Sequence, residues 1–214
     1  MSQQRVEEAL AALQRDLLRD GGPAISTMRG YRFCIVAYAP ADEFLLPREF
    51  GRLERRLQQG GWVVLTLSMG ALFARHIRDR LDPSLVASVI AREQRTCERD
   101  PEHGMDRALD HVVERILPHV EGADGLAANV RAHIGAFVEQ HPDKADRTVV
   151  FLGDVGGLYP FLRTSALLKH IDGHTHNVPV VLLYPGLRHG EHGLSFMGVF
   201  PADTDYRPRI YGRP

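Results

Sequence analysis

YRFCIVAY at residues 31–38, LPREFGRLERRLQQ at 46–59 and WVVLTL at 62–67 form the stretch that decides the fold. The outer two are short apolar runs rich in aromatic and β-branched residues, as in strands buried on both faces. The middle one repeats apolar residues at three- and four-residue steps. Pro47 stands in its first turn and Gly60-Gly61 behind it, so it reads as an amphipathic helix with a marked start and stop. Strand, helix, strand with two-sided burial is the unit of a parallel sheet.

Outward from that unit the same signals continue. Residues 4–20 place Val6, Leu10, Leu13 and Leu17 on one helical face, and Gly21-Gly22-Pro23 ends it. Residues 70–141 show helical periodicity and no strand signal. Ala71, Phe73, Ile77 and Leu81 mark one helix, Pro83 opens a second that runs to Cys97, and Asp100-Pro101 breaks it. Two more helices are expected at 104–117 and 125–140. TVVFL at 148–152 and PVVLLY at 179–184 read as two more buried strands, with a helix over 158–171 between them. The short alternating runs 194–199 and 207–211 read as late strands, an antiparallel edge pair. The expectation is one α/β domain over 1–214, a three-layer, doubly wound and mainly parallel sheet, with a helical insertion at about 70–141. Ligands of such folds bind beyond the carboxyl ends of the strands, here after Tyr38, Leu67, Leu152 and Tyr184.

Composition narrows the function classes. The 214 residues carry a net charge of −1 with a pI of about 6.8. A dedicated duplex-binding domain shows a basic stripe and a high pI, so direct nucleic-acid binding is disfavoured. The arginines at 52, 55 and 56 and at 75, 78 and 80 alternate with acids, as on solvated, ion-paired helix faces. Cys34 and Cys97 read as free thiols of a reducing compartment. The amino-terminal Met-Ser-Gln-Gln-Arg has no apolar core of a signal peptide, and no run approaches the roughly 20 apolar residues of a membrane helix. A cytoplasmic protein without a membrane segment is expected.

Catalytic motifs are sparse. A phosphate loop needs glycines followed by Lys and Ser or Thr. After the first strand stand Ala39-Pro40-Ala41-Asp42-Glu43, whose acids repel phosphate. After the third stand Gly153-Asp154-Val155-Gly156-Gly157. Asp154 has the position of a magnesium-holding acid, and Gly156 and Gly157 could open an anion-binding helix. The plainer reading is a strand-to-helix turn with Asp154 as cap. His170, His174 and His176 crowd one loop, and His189 and His192 the next. Convergence of His176, His189 and His192 with Asp154 would make a metal site; otherwise these are solvated loops. There is no Gly-x-Ser-x-Gly elbow. The tail Tyr206-Arg207-Pro208-Arg209-Ile210-Tyr211 is aromatic and cationic. Tyr206, Arg207, Arg209 and Tyr211 are candidate partner-binding residues, because Tyr and Arg are enriched in interface hot spots. The alternative is an edge strand with its aromatics turned inward.

Val180-Val181-Leu182-Leu183-Tyr184-Pro185-Gly186, then Leu194-Ser195-Phe196-Met197-Gly198, then Tyr206-Arg207 and Ile210-Tyr211-Gly212 follow in one order at close spacing. This series resembles the closing section of the BrxB family, small components of bacteriophage exclusion (BREX) defence systems. The early strand with its acidic turn and the helical middle are similar in layout. The resemblance implies antiviral defence in the cytoplasm beside a large ATPase, an adenine methyltransferase and an alkaline-phosphatase-like protein. It implies no catalytic residue, metal or cofactor. The expected function is therefore a non-catalytic adaptor or scaffold acting by protein–protein interaction. A nucleotide- or metal-dependent enzyme and a nucleic-acid-binding module are the alternatives.

Overall fold

The computed structural model describes residues 2–25, 32–162, 164–190, 193–199, 201–202 and 208–212. The chain opens with helix α1 (Ser2–Leu17), followed by strand β1 (Phe33–Tyr38), helix α2 (Leu46–Gln59) and strand β2 (Val63–Ser68). Four helices follow: α3 (Met69–Arg80), α4 (Pro83–Arg99), α5 (Gly104–Glu121) and α6 (Leu126–Gln140). The remainder is β3 (Thr148–Gly153), α7 (Thr164–Ile171), β4 (Val180–His189), β5 (Gly193–Phe196) and β6 (Arg209–Tyr211). The fold is α/β with a mainly parallel sheet between two helical layers, as the periodicities predict.

Strands β2, β3, β4, β1 and β6 lie side by side in that order, all parallel, and β5 adds to β4 antiparallel. Alternation along each strand sends side chains to two cores. Cys34, Val36, Val149, Phe151, Val181 and Leu183 pack under α1 and α2. Ile35, Val150, Leu152, Val180, Leu182 and Tyr184 pack with the helices between β2 and β3 and with α7. Both faces of β1 and β3 are buried along their whole length, which explains why their sequences are apolar runs rather than alternating ones.

Three local expectations change. The helix expected over 158–171 is a 3-10 turn at Gly156–Leu158 and then α7 from Thr164. Pro160 lies between them, joined to Tyr159 by a cis peptide bond, and proline has no N–H to give a helix. The helix expected to stop at 117 continues through Pro118 to Glu121. There the carbonyl of His119, one of the orphans of the last turn, accepts from buried His76 Nε2 at 3.0 Å. A carbonyl only accepts, so Nε2 carries the proton and Nδ1 accepts from Asn129 Nδ2 at 3.1 Å. One histidine of α3 thereby joins α5 to α6. Finally, the two late strands do not pair with each other. β5 folds back on β4, whereas β6 crosses to the outer side of β1.

Candidate functional site

The carboxyl end of the sheet gathers the loops that follow β1, β3 and β4. The chain leaves β1 toward the α1–α2 face and leaves β3 toward the α7 face, and a crevice of the kind that holds ligands opens where such directions diverge. A cleft of about 230 Å³ lies there, lined by Arg5, Tyr38, Asp42, Arg188, His189 and Gly212 among others.

Tyr38 ends β1 and donates its hydroxyl to Glu43 Oε2 at 2.7 Å. Burial, the bond to Glu43 and the charges on Glu43 and Asp154 all push the phenol well above its ordinary pKa, so it stays a donor. Asp42 is buried within the 3-10 turn Pro40–Asp42. Arg188, at the end of β4, donates through Nη1 to the Gly212 and Ile210 carbonyls at 2.9 and 3.4 Å and through Nε to Gly190 O at 3.0 Å. It clips the β4–β5 extension to the end of β6. Two glycines make this packing possible. A Cβ on Gly186 would strike Ser195 O and the Tyr184 ring, and one on Gly212, at φ 125°, would meet Ala37 O at 2.5 Å.

Asp154 follows β3 at φ 56° and is exposed. The 3-10 turn after it is capped by Val155 without any side-chain bond, so Asp154 is not the helix cap anticipated. A Cβ on Gly156 would lie 3.3 Å from Pro185 and 3.6 Å from Glu43 Oε2 and the Met197 sulfur, while one on Gly157 would meet nothing within 4 Å. His189 shares this end with Asp154. His176 does not. It precedes β4 at the amino end, beside Gly135 of α6. Val180 is level with Val150, so roughly 13 Å of strand separates that level from Asp154. The convergence that a metal site would require is therefore not formed by Asp154, His176 and His189, and His192 lies outside the described residues. Among the described residues no group of three or more His, Cys, Asp or Glu is placed to hold a metal ion.

The aromatic, cationic tail is turned inward where it is described. Tyr211 is 4% exposed and donates to Asp16 Oδ2 of α1 at 2.8 Å. Arg209 pairs with the same oxygen at 3.0 Å and lies over the Tyr211 ring, 5.1 Å from its centroid. Both of these candidate partner-binding residues thus bond within the chain, with only Arg209 reaching the surface. Tyr206 and Arg207 lie outside the described residues.

Sequence reading missed the exposed apolar groups that follow the strands at this end of the sheet. Phe44 is 93% exposed, Val199 68%, Leu187 47% and Tyr159 37%. They follow β1, β5, β4 and β3 respectively, or lie at the end of β4, and so share the carboxyl end of the sheet. Leu187 touches the Gly198 position and Tyr159 stacks at a tilt beside Phe196, 6.3 Å between ring centres. Tyr159 and Val199 fell inside an expected helix and an expected strand, so nothing in the sequence set them apart from core residues; an exposed apolar residue is common on any surface.

Fold and site together define a mainly parallel-sheet α/β protein whose strand ends carry a small cleft of mixed lining and several exposed apolar side chains. The family model described as BREX protein BrxB matches residues 80–210, more than half of the chain, and the protein belongs to the BrxB family. Membership implies a role in BREX defence. No curated protein and no solved structure matches the chain. Among the described residues no helix is long and apolar enough to cross a membrane.

Proposed function

We propose that the protein is a non-catalytic adaptor or scaffold of a BREX-type anti-phage complex, acting in the cytoplasm. The observation that supports this reading is the set Phe44, Tyr159, Leu187 and Val199, apolar side chains held in solvent at one end of the sheet. Isolated exposed apolar residues are ordinary; a group of four on one rim is the pattern of a partner surface. Exposed Asp154 adds negative charge beside it. Candidate partners are the alkaline-phosphatase-like protein, the ATPase and the methyltransferase of the same systems.

The test is recovery of these components with the tagged chain from cells that express the whole system. The double variant Phe44→Asp, Leu187→Asp is expected to lose at least one component while its melting temperature stays within a degree or so, since exposed substitutions change stability by about 0.5 kcal/mol or less. Unchanged recovery would remove the carboxyl-end rim as the contact surface.

A second reading rests on the cleft, where Arg5, Arg188 and His189 stand near buried Asp42. A nucleotide or other anion bound there raises the melting temperature in proportion to the logarithm of its concentration. A flat melting curve across nucleotides and divalent metals leaves the adaptor reading alone.

A further inference from the structure

The two edges of the sheet are built differently. β6, at one edge, is three residues long, enters from Pro208, leaves through Gly212 and carries exposed Arg209. Shortness, a proline and an outward charge are the devices that keep an edge from pairing with other chains. β2, at the other edge, has none of them. It is six residues, Val-Val-Leu-Thr-Leu-Ser, with no charge, proline or glycine. Among the described residues its only strand partner is β3. Thr66 is exposed and Val63, Val64 and Leu65 are partly so, although strands β1, β3 and most of β4 are buried. Every second residue of β2 directs its N–H and C=O away from β3, and such groups need partners or water.

We propose that β2 pairs antiparallel with β2 of a second copy of this chain about a two-fold axis normal to the sheet. The strand suits itself. Such an axis keeps each face in register, so odd-numbered residues oppose odd and even oppose even. A register centred on Leu65 sets leucine on leucine on one face and Val64 against Thr66 of the second copy on the other. With no ionisable side chain in the strand, self-pairing brings no like charges together. Closure argues for a second copy over a foreign peptide. A bound peptide would present its own outer edge in place of that of β2. Two-fold pairing uses up both unguarded edges at once, and the doubled sheet ends on β6 at each side, where the guards already stand.

The mass of the full chain in solution, measured by light scattering as concentration is raised, tests this. Twice the chain mass is expected. Thr66→Lys and Thr66→Glu, which put a charge on the exposed edge, are expected to return the mass of one chain while still unfolding in one cooperative thermal transition, at a melting temperature that no longer rises with concentration. In a Cys97→Ser background, Leu65→Cys, the residue that faces its own copy in this register, is expected to cross-link two copies on mild oxidation, since directly opposed cross-strand Cα separations of about 4.5–5.5 Å suit a disulfide. A wild-type mass of one chain at the highest attainable concentration overturns the proposal. So does a dimer that both charged variants retain, or a Leu65→Cys chain that does not cross-link. None of these residues belongs to the carboxyl-end rim, so Thr66→Lys should still recover defence components, and the two readings fail separately.

Discussion

On the α1–α2 face of the sheet, charged and polar ties supplement an apolar core; on the opposite face, a larger apolar core closes the layer, with buried His76 bonded between helices. Under α1 and α2, Arg52 Nη1 lies 3.0 and 2.9 Å from the two oxygens of buried Glu49 and 3.6 Å from Glu7 of α1. Asp16 of α1 accepts from both Tyr211 and Arg209 of β6. Under the helices between β2 and β3, Leu126, Val130, Ile134, Leu158, Leu162 and Leu167 bury almost completely. There buried His76 makes the polar link from α3 to α5 and α6 described above. The difference teaches where solution conditions act. Salt and pH reach the α1–α2 face through its charges, whereas area removed from water governs the other face.

The largest effect expected from this contrast lies on the apolar face. Ile134→Ala removes a side chain 1% exposed and should cost about 3 kcal/mol in denaturant unfolding. That loss should be the same in low and high salt. A loss that changed with salt would break the comparison.

Arg52→Ala comes next, at roughly 2 kcal/mol, because it leaves the Glu49 carboxylate, 5% exposed, without its closest cation. Part of that penalty comes from the stranded charge, so Glu49→Gln added to Arg52→Ala should recover part of the loss. A double variant weaker than Arg52→Ala would show that Glu49 has sufficient other partners.

Tyr211→Phe is smallest near neutrality, about 1 kcal/mol for one hydrogen bond. Its pH dependence is the sharper readout. Burial, then the neighbouring Cys34 and the bond to Asp16, raises the Tyr211 pKa above the ordinary value of about 10. The folded chain therefore holds this proton more tightly than the unfolded chain. Stability from this group is constant below pH 10 and falls as pH rises above it, where only the unfolded tyrosine ionises. Unfolding curves from pH 8 upward should fall less steeply for Tyr211→Phe than for the wild type. Tyr38 lies under the same face and is raised for the same first reason, so Tyr38→Phe should act in the same direction.

Much of the secondary structure was legible before the fold. Helix α2 has the bounds that its apolar spacing, Pro47 and Gly60 predict. β1 and β3 fall within two residues of their apolar runs. The candidate site was less legible. Asp154 and His189 do reach one end of the sheet, but His176 could not be placed at either end from its spacing, and Tyr211 had two readings that only contact with Asp16 separates. Tyr38 and Glu43 are five apart in the chain, yet their bond depends on the 3-10 turn that brings the second back over the first.

Alternation, helical spacing and the turn residues are properties of neighbours in the chain, and they determined the elements and the α/β class of this protein. Strand order is a property of distant segments. Nothing local to Arg209–Tyr211 says that they join β1 rather than the strand just before them, or that β2 takes the outer place in the sheet. Those choices belong to the tertiary structure, because the free energy of covering two apolar faces at once depends on which buried surfaces meet, and no single segment carries that information.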